Sequence, residues 1–170
     1  MKENFVHSLE LVLKSEGKWS DNPADPGGAT MCGVTIAVYS QYLCRPATKD
    51  ELRKISQHEI SEIYAHGYWM PSHCDQLPSG VDYVVFDFAV NAGVGRAAKT
   101  LQSALGVTQD GLIGPVTMSV AAVSDPKLLI KGFSESKRQF YRGLRNFPTF
   151  GAGWLNRVNA VEDNALGMLK

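Results

Sequence analysis

The chain has 170 residues, 44% of them hydrophobic, and its 17 basic residues balance its 17 acidic ones. This length predicts one well-buried domain over residues 1–170 and is too short for two comfortable ones. The formal net charge of zero excludes a broad positive field, so we expect no nucleic-acid partner. No apolar run is long enough to span a bilayer, so we expect no membrane insertion.

Charged residues interrupt every apolar stretch of the N-terminal segment, which therefore lacks the pattern of a secretory signal. We expect the chain to be synthesised in the cytoplasm. The apolar residues of this segment recur at helical spacing and predict a first helix with one buried stripe. These residues are Phe5, Leu9, Val12 and Leu13.

A pair of carboxylates follows this helix. Glu16 comes directly after it, and Asp25 lies nine positions later in a loop whose prolines and glycines favour an exposed turn. The negative end of the helix dipole and shielding by Trp19 both favour a protonated Glu16, as a general acid requires. An exposed Asp25 stays ionised and can orient water or stabilise an oxocarbenium-like transition state. Such a pair suits sugar-bond hydrolysis, although a solvated helix end before an ordinary turn has the same spacing.

Two S/T-x-x-E capping boxes come next, Thr48 with Glu51 and Ser56 with Glu59. They predict two short helices, the second ending near Gly67. The aromatic residues Tyr68 and Trp69 then stand at a turn, where they either line a sugar subsite or pack into the core.

Residues 81–93 are apolar nearly all round and predict a central buried helix, in which Asp82 and Asp87 must find partners. Further helices are predicted from 95 to 105, from Pro115, and from Asp125 as an N-cap. Three residues are expected to end the helix that begins at Asp125, before a last helix that carries Trp154. They are Pro148, Gly151 and Gly153.

The three cysteines cannot all pair within one chain, and none belongs to a CxxC unit. We read Cys32, Cys44 and Cys74 as mostly free thiols, with one disulfide after export left open. The four histidines complete no zinc motif, so we expect no metal and no cofactor.

Residues 16–35 resemble the signature of glycoside hydrolase family 108, the phage-like N-acetylmuramidases, which reads roughly E-G-G-Y-x-x-x-P-x-D-P-G-G-x-T-x-x-G-I-T. Three positions depart from it: Lys18, Trp19 and Val34. Lys18 places a positive charge beside the presumed acid, which favours its ionised form. Residues 81–93 look like the family's central helix ending in V-N-x-G, and residues 101–117 resemble its peptidoglycan-binding-like segment.

The resemblance implies a mainly α, lysozyme-like α+β fold in a single helical domain, with an irregular or short hairpin wall at 17–38 beside an active-site cleft. Residues 1–93 form the muramidase catalytic portion, and residues 94–170 form a peptidoglycan-binding-like helical portion packed into the same body. For 101–117 we expect a structural role first and substrate contact second.

The resemblance also implies that Glu16 is the essential acid, with Asp25 and Thr30 similar in placement to the water-holding residues of phage lysozymes. Asn91 then either holds the substrate N-acetyl group or caps its helix. The remaining predicted substrate-binding residues are aromatic: Trp19, Tyr68 and Trp69.

These observations predict a hydrolase of the N-acetylmuramic acid–N-acetylglucosamine bond, acting on peptidoglycan as a monomer. As a hypothesis, the loop leaves room for water between the two carboxylates, and hence for inversion. The enzyme is expected to act in the periplasm or cell wall after export that depends on a holin or a secretion system, for lysis or for secretion. Two alternatives remain open, a lytic transglycosylase using Glu16 and a non-catalytic peptidoglycan-binding module.

Overall fold

The computed structural model describes residues 2–21 and 28–169, which fall into two compact units. One unit is Val6–Gly67, and the other joins residues 2–5 to residues 68–169. Asp25, one of the predicted catalytic residues, lies outside the described residues. The single domain and its division at residue 93 stay predictions.

The first helix, α1, spans Lys2–Ser15, so that Glu16 directly follows it as predicted. The described residues of Val6–Gly67 that follow α1 form three short strands and three short helices. They are β1 (Trp19–Ser20), β2 (Thr30–Met31), β3 (Val34–Thr35), α2 (Ile36–Tyr42), α3 (Lys49–Arg53) and α4 (Gln57–Tyr64).

The strands form an antiparallel sheet in the order β1-β2-β3, in which Ser20 pairs with Thr30 and Thr30 with Thr35. The hairpin predicted for residues 17–38 is therefore confirmed. However, α2 begins inside this segment at Ile36, because the side chain of Thr35 accepts a hydrogen bond from the Val38 N–H and caps the helix.

Both predicted capping boxes are confirmed. The Thr48 hydroxyl accepts from the Glu51 N–H while the Glu51 carboxylate accepts from the Thr48 N–H, and α3 starts there. Ser56 and Glu59 do the same for α4. A single π-helical turn, Ala65–Trp69, follows α4. Local hydrogen bonds thus fix where these short helices begin.

The second unit is built from five longer helices. After the 3₁₀ turn Cys74–Gln76 come α5 (Val81–Ala92), α6 (Val94–Leu105), α7 (Pro115–Val123), α8 (Pro126–Arg142) and α9 (Phe147–Gly167). All residues of α5 from Val81 to Ala89 are buried, and α6, α8 and α9 pack against it. The prediction of a central helix is confirmed, and its apolar surface explains why it needs neighbours on several sides.

The two aspartates of α5 find the partners that burial requires. Asn4 donates a hydrogen bond of 2.7 Å to the Asp82 carboxylate. Asp87 receives Lys137 from α8 and Arg157 from α9, the latter at 2.9 Å. The Asp87 contacts join three helices through one buried carboxylate.

A break before the last helix is present at residues 143–146, but the residues expected to cause it are wrong, since Pro148, Gly151 and Gly153 all lie inside α9. Pro148 occupies the first turn, where a helix needs no backbone N–H donor. Gly151 is required by packing, because a β-carbon there would lie 2.6 Å from the ring of Phe147. No described helix is both long and apolar enough to cross a bilayer.

Candidate active site

Glu16 lies where α1 ends and the sheet begins. Its backbone N–H donates to the Leu13 carbonyl at 3.3 Å, which continues the last turn of the helix by one residue. Its side chain is half-buried and approaches Gly33, where a β-carbon would lie 3.3 Å from the carboxylate oxygen Oε2. The carboxyl group is therefore held beside the hairpin rather than extended into bulk solvent.

The turn between β2 and β3 positions this part of the hairpin. Cys32 and Gly33 have φ values of 50° and 77°, the combination of positive angles that a two-residue type I′ turn requires. The Cys32 N–H donates to the Lys18 carbonyl at 2.7 Å. The hydroxyl of Tyr64, from α4, donates to the Cys32 carbonyl at 3.0 Å.

Gly33 is the point where the hairpin, Tyr64 and Glu16 meet. A β-carbon at Gly33 would overlap the Tyr64 hydroxyl and would crowd the Glu16 side chain. Only glycine combines the left-handed backbone with this close approach. The site around Glu16 therefore depends on the backbone of a tight turn and on one buried tyrosine.

Trp19 and Thr30 lie on the same sheet. The Trp19 ring carries the Arg53 guanidinium 4.4 Å above its centroid, so one of its faces is already occupied by a cation–π contact. The Thr30 hydroxyl donates weakly to the Gly28 carbonyl, at 3.4 Å. Its oxygen lone pairs remain suited to accept a hydrogen bond from water.

Tyr68 and Trp69 begin the second unit. Trp69 is only 3% exposed and makes edge-on contacts with Phe5 and Phe86, at 5.2 and 5.3 Å between ring centroids. Of the two possibilities that the sequence left open for Trp69, the structure therefore shows core packing. Tyr68 is half-buried.

Asn91 is exposed at the C-terminal end of α5 and lines a cavity of about 530 Å³ within the second unit. Its side-chain amide donates to the Asp87 carbonyl at 2.5 Å, one helical turn back. The backbone N–H of the C-cap residue Gly93 donates to the Ala89 carbonyl. The helix end is thus closed by its own backbone, and Asn91 remains at the rim of the cavity.

The segment 101–117 uses its polar residues internally. The buried Gln102 donates to the Asp110 carboxylate at 2.6 Å and to the Leu112 carbonyl at 2.9 Å, and it accepts from the Gly111 N–H at 2.9 Å. Thr117 lies within hydrogen-bond distance of the same amide. One buried side chain therefore organises the whole turn, which agrees with a structural role for this motif.

Sequence reasoning missed Tyr64 and Gly33 as parts of the site. The hydrogen bond from Tyr64 to the turn was not predicted, because helical spacing cannot tell whether a buried tyrosine uses its hydroxyl. Gly33 was visible only as a matching position of the family signature. The signal that points to it is a two-residue turn with glycine between short strands.

Two further observations concern residues 2–21 and 28–169. No group of three or more His, Cys, Asp or Glu side chains within this part of the chain is arranged to hold a metal ion. Cys32 and Cys44 carry free thiols. Cys32 belongs to the turn beside Glu16.

Helices around a buried central helix, with a small antiparallel sheet next to a glutamate at the end of the first helix, define the lysozyme-like class. The family model "Glycosyl hydrolase 108" matches residues 9–93, and the model "Predicted Peptidoglycan domain" matches residues 96–159. The chain belongs to glycoside hydrolase family 108.

A solved structure supports the same assignment. SagA of Brucella abortus is 36% identical to this chain and superposes with a TM-score of 0.87, over 99% of this chain and 97% of that one. A comparison with curated protein sequences found no match. Together the family and the peptidoglycan domain make this protein a glycoside hydrolase that acts on peptidoglycan.

Proposed function

We propose that this protein is an N-acetylmuramidase, which hydrolyses the β-1,4 bond between N-acetylmuramic acid and N-acetylglucosamine with Glu16 as general acid. The observation that supports this role is the position of the Glu16 carboxyl beside Gly33. Gly33 belongs to the tight turn to which the Tyr64 hydroxyl donates a hydrogen bond. A general acid must keep one geometry while its proton leaves. A half-buried carboxyl that lies beside a fixed turn meets that requirement.

In the proposed reaction, Glu16 donates its proton to the glycosidic oxygen as the bond from that oxygen to the anomeric carbon breaks. The hydroxyl of a water molecule adds to the anomeric carbon, and the remaining proton of that water passes to a base. Asp25 is the proposed base or stabiliser of the developing positive charge, and Thr30 is proposed to hold the water. Trp19, Tyr68 and Asn91 are proposed to contact the glycan.

The test is product analysis after digestion of purified sacculi, with Glu16→Gln as the inactive reference. Glu10→Gln is the matched control, because Glu10 is exposed on the same helix and undergoes the same chemical change. Hydrolysis gives muramic acid reducing ends. A lytic transglycosylase gives 1,6-anhydro ends that are lighter by one water, and detection of these alone would overturn the proposal. Release of no ends at all would support a binding module instead.

We propose further that the reaction inverts the anomeric carbon. Inversion requires about 6.5 to 9.5 Å between the two carboxyl groups, so that a water molecule fits between them. Proton NMR of the products during the first minutes of digestion reports the anomer formed. A product of retained configuration would reject this part of the proposal and leave the bond assignment intact.

The place of action is also a proposal. A hydrolase of peptidoglycan meets its substrate only in the periplasm or wall, and the likeness to phage enzymes favours export through a holin or a secretion system, with the enzyme working as a monomer. Fractionation of cells with and without such a holin would test the route. Light scattering of the purified protein would test the monomer.

A further inference from the structure

Apart from Asn91, the residues that line a groove on the second unit take no part in the proposed reaction. The cavity of about 530 Å³ that Asn91 lines adjoins a second cavity of about 260 Å³ between α6 and α8. The two share Arg96 and Phe140 among their lining residues. We call them together the α6–α8 groove.

The groove is lined by cations. Arg96 and Lys99 are exposed one turn apart on α6, and Arg157 lines the larger cavity. None of the described residues that line either cavity is acidic. Two carboxylates interact with these cations: Asp110, which interacts with Lys99 through its charge, and Asp87, which accepts a hydrogen bond from Arg157.

Two cations and one carboxylate meet at the floor of the groove. Lys137 and Arg157 both donate to the Asp87 carboxylate. Lys137 and Asp87 are buried, whereas the side chain of Arg157 is 21% exposed. Arg157 therefore presents part of its charge to the larger cavity, which it lines.

An aromatic ring holds one of these cations, Arg96, in place. The Arg96 guanidinium lies 5.0 Å over the ring of Phe140, an arrangement that leaves the edge of the guanidinium and its N–H groups available. Tyr141 stacks on Trp154 at 5.3 Å between ring centroids and gives the larger cavity a flat wall. The groove therefore combines an oriented arginine with an apolar surface.

We propose that the α6–α8 groove binds the free carboxylates of peptidoglycan stem peptides. This inference rests on the peptidoglycan substrate of the proposed function and extends it to the peptide part of that polymer. Stem peptides are short and carry several carboxylates, and an arginine edge recognises a carboxylate through two parallel hydrogen bonds. The neutral glycan backbone has no charge that would require such a lining. The combined cavity size is in the range of sites that hold small ligands.

The test uses the full chain and a free stem tetrapeptide that has no sugar, with binding followed by isothermal titration calorimetry. The same peptide with its carboxyl groups amidated is the ligand control, and glycerol phosphate is the probe for a general anion site. Arg96→Gln should weaken binding about 10- to 100-fold, the usual contribution of a hydrogen-bonded charge. Lys99→Gln should weaken it less, because a lysine makes no bidentate contact.

Arg142→Gln is the matched control, since Arg142 is an exposed arginine of α8 that lines neither cavity. It should change the dissociation constant less than twofold. Equal binding of the acid and amidated peptides would overturn the inference, and this comparison needs no variant to fold. The inference would also be overturned if Arg96→Gln and Arg142→Gln weakened binding equally, if glycerol phosphate bound more tightly than the peptide, or if the peptide did not bind.

This experiment is separate from the test of the proposed function, because the free peptide contains no glycosidic bond. Muramic acid reducing ends from sacculi without peptide binding would reject the groove alone. Peptide binding without these ends would reject the muramidase assignment alone.

Discussion

The two units of this chain stabilise their structures in different ways. In Val6–Gly67 the ion pairs are at the surface, such as Arg45–Glu51 at 2.7 Å and Lys49–Asp21 at 2.9 Å, and the helices begin at local capping boxes. In the second unit Asp87 is 1% exposed and joins helices that are 50 and 70 residues away in sequence.

We infer from this difference that the proposed chemistry and the stability of the protein depend mainly on different residues. Around Glu16 the geometry comes from one tight turn and from the hydrogen bond that Tyr64 donates to it. Around Asp87 the carboxylate is 1% exposed, so water cannot take the place of a lost charge. Variants of the two regions should therefore separate activity from stability.

The largest expected effect concerns activity alone. Glu16→Gln removes the proton donor and should lower the rate of sacculus digestion about 10²- to 10⁴-fold, the usual contribution of general acid catalysis. The free energy of unfolding, measured in urea, should change by no more than about 0.5 kcal/mol. Comparable activity of Glu16→Gln and Glu10→Gln would remove Glu16 from the mechanism.

The opposite effect is expected for Asp87→Asn. Loss of the buried charge removes the carboxylate that Lys137 and Arg157 share, and since Lys137 is itself buried, this loss should lower the free energy of unfolding by about 3–5 kcal/mol. Glu135→Gln is the control, because its pairs with Arg138 and Arg142 are at the surface and should contribute about 0–1 kcal/mol. Urea titrations of the three proteins would show whether burial makes this difference.

Acid should remove the same contribution from the wild type. Burial alone raises the pKa of Asp87, but Lys137 and Arg157 outweigh it, so that the pKa is lowered. A lowered folded-state pKa gives stability that is present above the unfolded pKa of about 3.9 and is lost as the pH falls through the folded value. The stability difference between wild type and Asp87→Asn should therefore shrink in urea titrations carried out below about pH 4. A difference that stays constant into strong acid would show that ionised Asp87 is not its source.

Gly33→Ala should affect both properties. It places a side chain on a backbone with φ of 77° and against the Tyr64 hydroxyl, so we expect a loss of about 2–4 kcal/mol together with reduced activity. Gly106→Ala is the control, with φ of 68° and open space around the new β-carbon. It should cost about 1–2 kcal/mol from the backbone alone and leave the rate of digestion unchanged. Thermal unfolding and digestion assays of both variants would separate the backbone strain, which both variants share, from the clash with the Tyr64 hydroxyl, which only Gly33→Ala introduces.

The smallest effect is expected at a capping box. Thr48→Ala removes the hydroxyl that accepts from the Glu51 N–H and should cost about 1 kcal/mol. Thr48→Ser keeps the hydroxyl and should retain most of the stability. The Arg45 hydrogen bond, together with those from Thr48, lowers the pKa of Glu51 to about 2, so this carboxylate stays ionised over most of the pH range. Urea titrations that find Ala and Ser equivalent would show that the capping hydroxyl contributes nothing.

The features that could be predicted from the amino-acid sequence alone are those that depend on residues close together in the chain. The family signature in residues 16–35, the two capping boxes, the apolar helix at residues 81–93 and Glu16 directly after α1 were all predicted from local patterns. Such patterns are readable because caps, turns and helical periodicity involve residues only a few positions apart.

The contacts between residues that are distant in sequence could be recognised only in the tertiary structure. It placed Trp69 in the core, gave Asp87 its two cations, kept Pro148 inside α9 and brought the Tyr64 hydroxyl to a turn 32 residues earlier. No local pattern specifies these partners. A sequence contains many side chains that could make each contact, and only the close packing of the folded chain brings one particular pair together. The grouping of Arg96 with Phe140 depends on the same packing, because the two residues belong to different helices.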